Sequence, residues 1–122
     1  MIGIGTDLVD LDRFREALAR TPGLVPRLFC ADEQAYAERR NDPTERYAAR
    51  FAAKEAVMKA LGVGLGACEF TDIEVVRDDD SGAPAVALHG RARELAEEAG
   101  VSRWLLTLTH SDTTAHAIAV AL

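Results

Sequence analysis

The stretch YAARFAAKEAVMKALG, residues 47–62, restricts the fold of this chain more than any other. Set at 100° per residue, Tyr47, Phe51, Met58 and Leu61 share one broad helical face. Ala49, Ala53, Ala56 and Ala60 share the opposite face, where small side chains let another element approach closely. A helix that is apolar on both sides is buried on both sides, so this one is expected at the centre of the molecule. Yet four charges interrupt it. Arg50 sits one turn before Lys54, Lys54 borders the Phe51/Met58 stripe, and Glu55 and Lys59 stack at i, i+4 on its flank. Two readings stay open. In one, Glu55 and Lys59 form a surface ion pair worth about 0.2–0.5 kcal/mol, and Arg50 and Lys54 extend their stems to water. In the other, the charges line a cleft and meet a charged ligand, because a buried ion without a partner costs several kcal/mol. One acid among three bases suits a metal together with phosphates: the acid holds the cation and the bases hold the anion.

A second carboxylate stands on the opening strand. Ile2, Ile4, Thr6 and Leu8 alternate with Gly3, Gly5 and Asp7, the period of two that marks a strand. One face is bulky, and the other carries two glycines and then an acid. Mg²⁺ is usually held by one or two carboxylates plus phosphates and water, which fits Asp7 with Glu55. Asp12 is expected to cap the helix that follows, and Asp10 to be a solvated turn residue. That helix closes at Pro22-Gly23. Asp32 is placed to cap a short helix through Arg40, and Thr44 to cap the long one, which GVGLG at 62–66 terminates. Strands are expected over Ile73–Arg77 and Ala85–His89, a helix over 91–99, and a hairpin from Trp104–His110 to Ala115–Ala121. The order predicts an α+β fold: one domain over residues 1–122, with a mostly antiparallel sheet packed on a long central helix and shorter helices.

Net charge is −6, which argues against nucleic acid as the main partner. No run approaches the roughly 20 apolar residues that span a bilayer. Strand-like residues from Met1 and Ile2 leave no room for a signal peptide. Cys30 and Cys68 lack metal-site spacing and read as reduced thiols. A cytoplasmic protein without nucleic-acid or membrane partners is expected.

GIGTDLVDLDRF near the start, taken with RFAAKEAVMKALG, resembles the holo-[acyl-carrier-protein] synthase family of 4'-phosphopantetheinyl transferases. The family pattern, G-x-D and then F-x-x-K-E-x-x-x-K-A some way on, is met by Gly5, Thr6 and Asp7 and by Phe51, Lys54, Glu55, Lys59 and Ala60. FTDIEV, GAPAVALHG and LTLTHSDTTAHAIAV are also similar to that family's strands. The resemblance implies transfer of phosphopantetheine from coenzyme A to a serine of apo-acyl carrier protein, releasing adenosine 3',5'-bisphosphate, in fatty acid biosynthesis. It implies Asp7 and Glu55 as magnesium ligands. Arg50, Lys54, Lys59 and His110 match positions that contact the coenzyme A phosphates or assist the chemistry, and Gly62 falls at the loop that lets backbone approach the ligand. It implies a homotrimer with active sites between protomers. Leu105 stands where the family often carries a histidine. His89 and His116 read as structural.

Acyl carrier proteins are acidic, so an acidic enzyme needs a local basic patch to meet one. Arg13, Arg15, Arg20 and Arg27 cluster in and after the first helix. Arg13 and Arg20 lie two turns apart and share a face, while Arg15 points elsewhere; the alternative is a solvated helix face. The rival functions are another magnesium-dependent phosphotransferase or hydrolase, and a non-catalytic oligomeric binding module.

Overall fold

A computed structural model describes all of residues 1–122. Strand β1 (Gly3–Asp10) leads into α1 (Leu11–Arg20), α2 (Leu24–Leu28), α3 (Ala31–Ala37) and the long α4 (Thr44–Leu61). A 3-10 turn (Phe70–Asp72), the hairpin β2 (Ile73–Arg77) and β3 (Pro84–Leu88), helix α5 (Gly90–Glu98), and strands β4 (Trp104–His110) and β5 (Thr114–Ala121) follow. The fold is α+β. All strand pairing is antiparallel, but it forms two sheets, a three-stranded one in the order β1-β5-β4 and the separate β2-β3 hairpin.

Helix α4 occupies the centre, as its two apolar faces require. Its alanine face lies on β1 and on β5, whose inward residues Ala115, Ala117, Ala119 and Ala121 are fully buried. Gly3 and Gly5 explain how close that contact is: a Cβ at either would stand 1.9 Å from the carbonyl oxygen of Ala60 or Ala56. On its other face, Phe51 packs between Phe14 of α1 and Phe70, with ring centroids 5.3 and 5.4 Å away. The same sheet turns an apolar outer face to solvent: Ile4 and Leu8 of β1 and Leu105 of β4 are exposed, beside Ile118 and Val120 of β5.

The capping expectations need correction. Asp10, not Asp12, caps α1 by accepting from the Arg13 amide at 2.9 Å. Asp12 sits within the first turn of α1, 2.9 Å from Arg15. Helix α3 starts at Ala31 because Cys30 and Glu33 form its capping box, so Asp32 is merely in the first turn. At α4 the Thr44 amide donates to Asp42 Oδ1 at 3.0 Å, and Thr44 itself begins the helix. Gly62 ends α4 in the left-handed region (φ 72°), with the Val63 amide returning to the Met58 carbonyl. Cys30 and Cys68 are free thiols, and burial pushes both pKa values up, that of Cys30 to about 11.

Candidate active site

The close packing of β1 on α4 carries three charged residues to one place. Asp7 follows the two glycines on the inner strand face, while Glu55 and Lys59 stand one residue before Ala56 and Ala60, the helix positions those glycines meet. Lys59 Nζ donates to the Thr6 carbonyl at 2.9 Å and to Asp7 Oδ1 at 3.3 Å. Burial raises the pKa of Glu55 and the nearby Asp7 charge raises it further, against the opposing pull of Lys59. The three line a cleft of about 730 Å³ whose walls include Phe14, Phe51 and Phe70 and whose rim carries Arg13 and Arg27.

The acids fit a divalent cation. Glu55 feels the charge of Asp7 in one cleft, and no group of three or more His, Cys, Asp or Glu side chains converges anywhere in the molecule. Two carboxylates make an incomplete donor set, of the kind Mg²⁺ occupies when phosphate oxygens and water complete its shell.

Arg50 and His110 lie elsewhere. Together with Arg40, Arg46 and Arg77 they line a second cavity of about 250 Å³. There the Arg46, Arg50 and Arg77 guanidiniums stand 4.0, 4.4 and 4.5 Å from the centre of the Tyr36 ring, a stacking arrangement arginine favours. Arg50 is 5% exposed, and its Nε has no hydrogen-bond partner. Glu45, the lone carboxylate of this cavity, is 3.4 Å from His110 Nε2. Arg46 and Arg50 are one turn apart and were recoverable from helical spacing; Tyr36 and Arg77 arrive from distant segments with no local signal.

Lys54 departs from the expectation that it faces coenzyme A. It is 0% exposed and ion-paired to Glu33 of α3 at 2.8 Å. Helical spacing rightly set it beside the Phe51/Met58 stripe, but the partner lies 21 positions away in sequence and could not be read from it. Gly62 sits past the end of α4 with open space around its Cα. Arg15 is engaged by Asp12 and Asp42. Arg13, Arg20 and Arg27 are exposed and form no ion pair. His89 meets Glu74 at 2.9 Å, and His116 meets Thr6 Oγ1 at 2.6 Å.

The family model of the 4'-phosphopantetheinyl transferase superfamily matches residues 3–121. The chain belongs to that superfamily. This transferase is 48% identical, over its full length and 93% of the relative's, to a protein named holo-[acyl-carrier-protein] synthase from Moorella thermoacetica. Its fold is similar to the crystal structure of the synthase of that name from Neisseria meningitidis, with a TM-score of 0.90 at 32% identity, covering 100% of this chain and 98% of the other. The Helicobacter pylori synthase, solved in complex with coenzyme A, is similar with a TM-score of 0.85 at 26% identity, covering 98% and 99%. The transferase is thus an enzyme by family. Its Asp7, Glu55 and Lys59 share one cleft with Arg13 and Arg27.

Proposed function

We propose that this transferase is a holo-[acyl-carrier-protein] synthase. It moves the 4'-phosphopantetheine group from coenzyme A to a serine hydroxyl of apo-acyl carrier protein and releases adenosine 3',5'-bisphosphate, in the service of fatty acid biosynthesis in the cytoplasm. The whole of residues 1–122 is one catalytic domain. The observation that carries this reading is the convergence of Asp7, Glu55 and Lys59 on one cleft, within a chain of this family.

Phosphoryl transfer leaves little covalent work to a protein, so positioning and charge dominate. Asp7 and Glu55 would hold Mg²⁺, which would supply charge neutralisation at the pyrophosphate. Lys59 is held in place by the Thr6 carbonyl and Asp7, and its ammonium stabilises or protonates the departing phosphate. Gly62, without a side chain just beyond Lys59, lets backbone approach the substrate.

Arg50 and His110 stand in a different cavity from Asp7 and Glu55. A homotrimer with active sites between protomers reconciles the two groups, with the arginine-lined cavity of one copy supplying positive charge to the nucleotide held at the carboxylates of the next. The outer sheet face of Ile4, Leu8, Leu105, Ile118 and Val120 supports that assembly, since contiguous exposed apolar surface marks a contact site. The acidic carrier protein meets Arg13 and Arg20, with Arg27 at the cleft rim.

The test is mass spectrometry of an apo-acyl carrier protein incubated with this protein, coenzyme A and Mg²⁺. Gain of one phosphopantetheine arm is expected; an unchanged carrier mass would refute the reading.

A further inference from the structure

We infer that Lys54 and Glu33 act as one positioning pair for the transfer reaction, and that Lys54 does not touch the nucleotide; the inference rests on the transferase reading above. An ammonium has three donors, and Lys54 spends all of them inside the protein. It donates to Glu33 Oε1 at 2.8 Å, to the Phe70 carbonyl at 3.0 Å and to the Ile73 carbonyl. None is left for a phosphate.

Glu33 is equally committed. It is 1% exposed; Oε1 also accepts from the Cys30 amide at 2.8 Å, and Oε2 accepts from the Val75 amide at 2.9 Å. The pair therefore ties α3, α4, the 3-10 turn and β2 together at one buried point. A buried ion pair contributes little net stability compared with a well-packed apolar pair of similar volume. What it supplies is geometry, because charge-assisted hydrogen bonds accept only a narrow range of distances and angles.

That geometry concerns the cleft. Phe70, whose carbonyl Lys54 holds, forms part of the cleft wall and stacks on Phe51. Glu55, the next residue after Lys54, lines the same cleft. One side chain thus locks the aromatic wall to the helical turn that carries the carboxylate.

The experiment compares the wild type, Lys54→Met, Glu33→Gln and the double variant, with folding followed by circular dichroism. Each single change is expected to lower kcat about tenfold or more, with the KM for coenzyme A and the metal-free Kd of adenosine 3',5'-bisphosphate within about twofold of wild type. The double variant is expected to be no worse than the weaker single one, since the two act as a unit. A raised KM and Kd with kcat retained in Lys54→Met, or losses that multiply in the double variant, would overturn the inference. Should Lys54→Met fail to fold, Glu33→Gln decides by its own split between kcat and KM, because it keeps shape and acceptor. An inert wild type overturns this inference and the transferase reading together; an active wild type with a KM-type loss overturns this inference alone.

Discussion

Replacing Gly5 by alanine adds one methyl group where the strand and the central helix touch. The new Cβ would lie 1.9 Å from the Ala56 carbonyl oxygen and 2.8 Å from the Ala60 nitrogen, both main-chain atoms that no rotamer change can move. Restoring ordinary contact near 3.4 Å requires β1 and α4 to separate by about 1.5 Å. The helix has no slack on its other side, where Tyr47 and Met58 are buried and Phe51 packs between Phe14 and Phe70. Elsewhere Gly→Ala gains about 0.4–1 kcal/mol by restricting the unfolded chain. Overpacking costs about 1–3 kcal/mol, and a main-chain clash belongs at the upper end, so the net sign is destabilising by about 2 kcal/mol. At about 4 °C per kcal/mol for a chain this size, Tm should fall by about 8 °C. Activity should suffer more than stability. Asp7 is two residues along the strand and Glu55 is next to Ala56, and a shift of about 1 Å between reacting groups costs about 100-fold. Calorimetry and carrier-protein loading at 20 °C measure both. Gly64→Ala, where an added Cβ meets nothing within 4 Å, serves as the stability control and should leave Tm unchanged. An unaltered Tm, or turnover within about threefold of wild type, in Gly5→Ala would refute the argument.

Glu55→Gln and Asp7→Asn should each fold and lose metal-dependent turnover; full activity in either would contradict the ligand assignment. Glu55→Gln carries a further signature. The carboxyl pKa is raised in the folded state by burial first and Asp7 second, so its ionised form is destabilising. That cost is absent below the ordinary carboxyl range and complete above the raised value. The variant should therefore melt above wild type near pH 7 and level with it near pH 3; a lower Tm near pH 7 would count against the shift. Arg13→Glu should raise the KM for carrier protein more than the KM for coenzyme A, and equal changes in steady-state kinetics would remove Arg13 from the docking surface. Mixing Asp7→Asn with Arg50→Ala protein should restore about a quarter of wild-type activity if each site draws on two copies of a ring; no recovery after subunit exchange would argue for sites confined to one chain.

Much of this arrangement was legible in the chain because its signals are local. Alternation in residues 2–8 gave the strand and its glycine face, and the doubly apolar 47–62 segment gave the central helix. Its i, i+4 spacing put Glu55 and Lys59 on one flank, although Lys59 pairs with Asp7 of the strand and not with Glu55. What stayed hidden was set by tertiary partners. Nothing in residues 50–62 announces that Glu33 neutralises Lys54, or that Tyr36 and Arg77 converge on Arg50. The caps moved for a related reason: Asp10 and Asp12 are chemically equivalent, and the strand's hydrogen bonding through Asp10 to Thr114 decides where the helix begins. Short α2 has no sequence signature, because five residues with an internal proline carry no periodic pattern.

Beneath the carboxylates the interior is mostly alanine, on α4 and on every inward position of β5. Alanine has no side-chain torsion to freeze, so this interior forfeits almost no rotameric entropy on folding. It also has none to regain on warming. Thermal hopping between rotamers, the usual source of softness in a core, has nothing to act on here, and the spacing of Asp7 and Glu55 is left to the two main chains alone.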